Sequence, residues 1–183
     1  IVIEVSPAFG GFPFLFNMVI ANTCHHFLKN YCEADIKIKW PNDLYINDRK
    51  AGGILIENIY RGSVWKWAVV GIGMNINQQE FSAELYNATS VKLVSGQNYD
   101  SVELARKLHR QVLEALGQTK RTALSEIMKY YNEHLFKRGQ TVKLRRKNMV
   151  FATTIEAVNE KGQLLTSDTI SRQFEFGEVE WVL

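Results

Sequence analysis

The sequence predicts a mixed α+β protein with a compact all-β tail. Three observations carry that prediction. Apolar residues recur at helical spacing near the N-terminus and again past the middle of the chain. Between these segments runs a series of short β-branched stretches broken by turn signals, and beyond Gly139 strand-like alternation returns.

The elements follow in order. The chain opens on Ile1-Val2-Ile3-Glu4-Val5, a strand-like run with no leading turn. Pro13 sets a helix start, and Leu15, Phe16, Val19, Ile20, Phe27, Leu28 and Tyr31 then predict one amphipathic helix that also carries Cys24 and Cys32. From Ile36 to Ile72, strands are separated by Pro41-Asn42-Asp43, Asn47-Asp48, Gly52-Gly53 and Arg61-Gly62, which predicts an antiparallel meander. A polar connection passes through Ala88-Thr89-Ser90. Helical period returns at Val102, Leu104, Ala105, Leu108, Val112, Leu113 and Leu116, and a second amphipathic segment covers Ala123 to Leu135. The alternation at Val142-Leu144, Val150-Ile155, Leu164-Leu165 and Phe174-Phe176 predicts four or five strands, enough for a small barrel. The expected division is one domain over 1–136 and a second over 137–183.

Composition narrows the function classes. With 183 residues and 46% apolar composition the chain can bury a sizeable core, which excludes a disordered tail or a disulfide-stapled miniprotein. The net charge of +3 is too mild to argue for nucleic acid, and the basic residues gather only at Lys143, Arg145, Arg146 and Lys147. No apolar run approaches the roughly 20 residues a membrane helix needs. The two cysteines lack zinc-knuckle or redox spacing, so a reducing cytoplasm is expected. Cys24, His25 and His26 are adjacent on a helix and diverge by about 100°, which keeps them from converging on one metal ion.

The chemistry-bearing residues cluster at Lys39-Trp40-Pro41-Asn42-Asp43 and at Lys50 to Glu57. These stretches lie on neighbouring strands if Leu44 to Arg49 forms a hairpin. Pro-Asn-Asp at a strand end sets a tight turn and leaves short polar side chains facing a cleft; the plainer reading is a turn and nothing more. Paired glycines, here Gly52-Gly53, admit a ligand close to the backbone. Lys50 beside them can meet a phosphate or a developing negative charge, or is an ordinary exposed lysine. In Val69 to Asn77, Gly71, Gly73 and Asn75 alternate onto one face of a strand, which then either receives a neighbouring element or floors a pocket. The pattern is not GxGxxG and no helix follows at once, so a dinucleotide site is a poor fit. No nucleophile-base pair is evident.

The stretches KWPNDLYINDRKAGGILIE and VVGIGMNIN resemble the signature pair of the biotin protein ligase catalytic domain. Ala88-Thr89-Ser90 and the segment from Gly139 to Leu183 also sit where that family has them, so the resemblance covers essentially the whole chain. It implies a mixed sheet with packed helices related to class II aminoacyl-tRNA synthetases, followed by an SH3-like barrel. It implies adenylation of biotin by ATP with Mg2+, then transfer of biotin to a lysine of a biotin carboxyl carrier protein domain such as that of acetyl-CoA carboxylase. In that frame Lys50 contacts both the biotin carboxylate and the α-phosphate. Asn42 and Asp43 lie near the phosphates and metal, Gly53 and Leu55 line the biotin pocket, Gly71 and Gly73 floor it, and Asn75 approaches the adenylate. Asp43 is further expected to orient or deprotonate the carrier lysine.

Family members carry a glycine- and arginine-rich loop ahead of the first strand seen here, so this stretch of chain is expected to be weak or inactive by itself. Their N-terminal DNA-binding domain has no counterpart in these residues, and DNA binding is not expected. A homodimer through sheet edges would use Ile54 to Ile59 and Val64 to Val70. The basic cluster would meet an acidic carrier or the nucleotide, or else mark a solvated edge strand. Two alternatives remain: a lipoate-protein ligase on the same scaffold, and a non-catalytic binding remnant of the fold.

Overall fold

A computed structural model describes residues 1–182. Its first sheet has five strands in the order β1-β5-β4-β3-β2, comprising β1 (Val2–Glu4), β2 (Ile36–Lys39), β3 (Asp43–Ile46), β4 (Arg49–Arg61) and β5 (Val64–Met74). Every neighbouring pair is antiparallel, and the parallel contributions are isolated bridges, Ile38 to Leu135 and Lys50 to Ala88. The expected meander is present. Asn47 and Asp48 both take positive φ, 48° and 64°, the geometry of a tight hairpin turn, and so bring Lys50 back beside Asp43.

Helix α1 (Pro13–Lys29) starts at its proline as expected but is not amphipathic. Leu15, Phe16, Met18, Val19, Ile20, Ala21, Cys24, Phe27 and Leu28 are buried on most of its circumference. The reason is tertiary: the sheet lies on one side, and α3 (Ser101–Gln118) and α4 (Leu124–Glu133) lie on the other. Cys32 falls outside the helix, beyond its C-cap Asn30. The polar connection between β5 and α3 contains one further short helix, α2 (Val91–Ser95). Asp100 caps α3 by accepting from the amides of Val102 and Glu103. Between α1 and α4, His25 donates from Nε2 to the Ile36 carbonyl at 3.0 Å and accepts at Nδ1 from the Tyr130 hydroxyl at 2.7 Å.

The second sheet, order β10-β6-β7-β8-β9, is built from β6 (Thr141–Arg146), β7 (Met149–Val158), β8 (Leu164–Ser167), β9 (Ser171–Phe174) and β10 (Glu180–Val182), all antiparallel. Strand β6 is therefore interior, which corrects the edge-strand reading of Lys143 to Lys147. Its two arginines pair with acidic residues at and just before β10, Arg146 with Glu178 at 2.8 Å and Arg145 with Glu180 at 3.6 Å. One continuous apolar cluster runs through both sheets. At the junction Trp40 donates to the Gly162 carbonyl at 2.8 Å, and Asn132 both donates to the Val158 carbonyl and accepts from its amide.

Candidate active site

Strand register brings the expected residues into rows. Asp43 is opposite Gly53, which is opposite Gly73; one step along, Leu55 is opposite Gly71. Because side chains alternate, Gly53, Leu55, Gly71 and Gly73 share the face of the sheet away from α1. An open cleft of about 470 Å³ lies on that face, lined by Asn42, Asp43, Lys50, Gly53, Ile54, Leu55, Gly71, Ile72 and Gly73.

The glycines differ in why they are glycines. A Cβ on Gly52 would stand 2.6 Å from the Gly73 carbonyl oxygen, and one on Gly53 would stand 3.1 Å from Asp43 Oδ1. Those two are imposed by close neighbours. A Cβ on Gly73 would meet nothing within 4 Å, and one on Gly71 only ordinary contact with the Leu55 carbonyl at 3.8 Å. Packing within the chain does not require their bare backbone. It leaves a floor with room above it.

The charge of the cleft sits at one end. Lys50 Nζ lies 2.7 Å from Asp43 Oδ1, a charge-assisted hydrogen bond, and Lys39 Nζ approaches Oδ2 of the same carboxylate at 3.9 Å. Burial lowers the proton affinity of Lys39 below that of an ordinary lysine; Asp43 opposes the shift and Lys50 adds to it. Lys50 is fixed through its backbone, which donates to the Asn87 carbonyl and accepts from the Thr89 amide. The side chain remains half exposed at the cleft mouth.

Asn42 and Asn75 occupy supporting positions. The Asn42 amide donates to the Ile54 carbonyl, tying the Pro41-Asn42 turn to β4. That of Asn75 donates to the Thr89 carbonyl at 3.0 Å and anchors the segment whose backbone holds Lys50. Asn42 also lines the cleft, whereas Asn75, expected to approach the adenylate, is not among its lining residues. Cys24 and the histidines show no metal-binding geometry: among the described residues no group of three His, Cys, Asp or Glu could hold a metal. The Cys24 thiol is buried and pushed up to about 12. Lys39 has no expected role of its own within the Lys39 to Asp43 cluster, although its place opposite Asp43 follows from the β2–β3 register.

Comparison with known proteins adds a partial family match and a shared fold. Residues 11–75 match the Biotin/lipoate A/B protein ligase family, a span that contains α1 and the three strands of the cleft. The chain is 32% identical over 101 residues to the bifunctional ligase/repressor BirA of Escherichia coli K12, an alignment covering 55% of this chain and 32% of BirA. It is 44% identical over 66 residues to BirA of Bacillus spizizenii, covering 34% of this chain and 20% of that one. The chain thus spans about a third or less of the length of these curated relatives. The apo biotin protein ligase of Aquifex aeolicus superposes with a TM-score of 0.78 at 25% identity, covering 98% of this chain and 79% of that one. Residues 11–75 thus carry a match to the Biotin/lipoate A/B protein ligase family, and almost the whole length of the chain has the fold seen in the Aquifex aeolicus biotin protein ligase.

Proposed function

We propose that this chain forms the biotin- and ATP-binding cleft of a biotin protein ligase, over residues 1–136, with residues 137–183 as an SH3-like C-terminal domain. The observation that carries the reading is the Lys50–Asp43 pair at the end of a floor whose glycines, Gly71 and Gly73, have open space above them. Such a floor suits a flat, mostly apolar ring system, with Leu55 as an exposed apolar wall. The lysine suits the anionic tail.

The chemistry asks little of the protein beyond alignment and charge. A biotin carboxylate is ionised at neutral pH and needs no base. Its oxygen attacks the α-phosphorus, the bond to the β-phosphate oxygen breaks, and pyrophosphate leaves. Lys50, oriented by Asp43, stabilises negative charge shared by the carboxylate and α-phosphate. In the second step a carrier lysine amine attacks the acyl carbon, the bond to AMP breaks, and the amine loses a proton. Asp43 would have to release an ammonium to accept that proton, so its stronger role is as the anchor of Lys50.

A resident Mg2+ does not fit this donor set. Among the described residues Asp43 is the one carboxylate lining the cleft, and both its oxygens face ammonium groups. Magnesium belongs with the ATP phosphates, and no step here depends on a protein-held ion. A biotin carboxyl carrier domain is the proposed acceptor. Among the described residues β3 pairs with β4 over Arg49 to Gly53, which leaves the edge from Ile54 to Ile59 for a second copy; Val64 to Val70, the other stretch expected to dimerise, is instead covered by β1, which pairs with Trp67 to Val69.

Calorimetric titration with biotin, with ATP and with lipoate tests the reading. Biotin should bind in preference to lipoate, and Lys50→Ala should weaken it about ten- to a hundredfold, the worth of a hydrogen bond to a charged group. Preference for lipoate would move the chain to the family's other branch.

A further inference from the structure

Lys39 is the charged group of the site that the proposed reaction leaves unused. It stands on β2 directly opposite Asp43, and its side chain is 12% exposed against 48% for Lys50. Most lysines keep the ammonium in water. This one lies 5.4 Å from the ring centre of Tyr45 and 5.3 Å from that of Trp181, within cation–π range of both. The cage bridges the two sheets: Tyr45 packs on Phe136 at 4.7 Å, Phe136 packs on Trp181 at 5.8 Å, and Trp181 belongs to β10. The Trp181 indole N–H is buried without an acceptor among the described residues, so packing and the cation hold the ring.

A second cleft of about 380 Å³ opens beside this cage, lined by Lys39, Trp40, Asp43, Phe176, Glu180 and Trp181 among others. Asp43 lines both clefts and forms the wall between them. The titratable groups around Lys39 are Asp43, Lys50, the Tyr45 phenol and, at the rim, Glu180.

We propose that Lys39 is a positioning residue for the cleft, its ammonium drawing the Oδ2 side of Asp43 electrostatically at 3.9 Å while Lys50 hydrogen-bonds Oδ1 at 2.7 Å, and that Trp181 makes the C-terminal sheet part of this assembly. The proposal deepens the biotin- and ATP-binding reading and rests on it. A carboxylate with one anchor turns freely about its terminal torsion. A second ammonium on the Oδ2 side favours the orientation that presents Oδ1 to Lys50. Lys50 is the ammonium that lines the glycine-floored cleft, and Lys39 lines the second cleft across Asp43.

The test is an NMR titration of the lysine ammonium groups in the intact chain, run beside biotin and ATP binding. Lys39 should lose its proton at lower pH than exposed lysines, lower still in Asp43→Asn, and nearer the ordinary range in Trp181→Ala. Lys39→Met should weaken ligand binding about tenfold, and Lys39→Arg, which keeps charge and ring stacking, should recover most of it. A Lys39 titration indifferent to both neighbours, or unchanged affinity in Lys39→Met, overturns the proposal. Absence of biotin and ATP binding in the unmodified chain would instead remove the ligase reading, while the titration still decides whether Lys39, Asp43 and Trp181 act together.

Discussion

The two faces of the β4–β5 ribbon share one backbone and have opposite contents. Toward α1, Ile54, Ala68 and Val70 are 2%, 0% and 2% exposed and belong to the main core. On the other face, Leu55 is 64% exposed, and Gly53, Gly71 and Gly73 contribute no side chain at all. Packing decides the first face, residue by residue. The second is defined by what it omits: among the described residues nothing comes within 4 Å of a Cβ on Gly73, and one on Gly71 meets only the Leu55 carbonyl at 3.8 Å. A face left bare without internal cause is the mark of a surface kept for something outside the chain.

That contrast can be broken by substitution. Ile54→Ala removes a side chain from a filled core and should cost about 2–5 kcal/mol of unfolding free energy in a urea titration. Gly52→Ala forces a methyl group against the Gly73 carbonyl and should cost about 1–3 kcal/mol through backbone displacement. Leu55→Ala, next to Ile54 in sequence but on the open face, should change stability by less than about 0.5 kcal/mol while weakening biotin binding. Equal costs at Ile54 and Leu55 would erase the distinction between the faces.

The core side also predicts a pH dependence. Burial is the main reason that His25 is held down to about 4 from 6.5, and His134 lowers it further; His26 and Lys29 push the same way, against the Ile36 carbonyl. A folded-state value below the unfolded one means that the unfolded chain gains protons first. The stabilisation is thus complete above about 6.5 and lost as pH falls toward 4. Between pH 7 and pH 5 the unfolding free energy should drop by about 2 kcal/mol from this group, checked by urea titrations at both values. An imidazole signal from His25 that titrates normally would contradict it.

Much of this was legible in local sequence. Asn47-Asp48 announces the hairpin that returns Lys50 to the neighbourhood of Asp43, and the alternation of Gly71 and Gly73 places them on one face of a strand. What stayed hidden depends on distant partners. The burial of α1 around most of its girth comes from α3 and α4, and β6 is interior because the last strand, β10, returns to pair with it. The amides of Asn42 and Asn75 are committed to backbone carbonyls 12 and 14 residues away. Trp181 reaches Lys39 from the far end of the chain, beyond the range of any motif.

The central claim is that the floor is bare for a ligand, and Gly73→Val tests it most directly. A Cβ there meets nothing within 4 Å, and a β-branched residue suits a strand, so the denaturation midpoint should hold or rise. Calorimetry should show biotin binding abolished in a fully folded protein. A Gly73→Val variant that binds biotin like the unmodified chain would contradict the account.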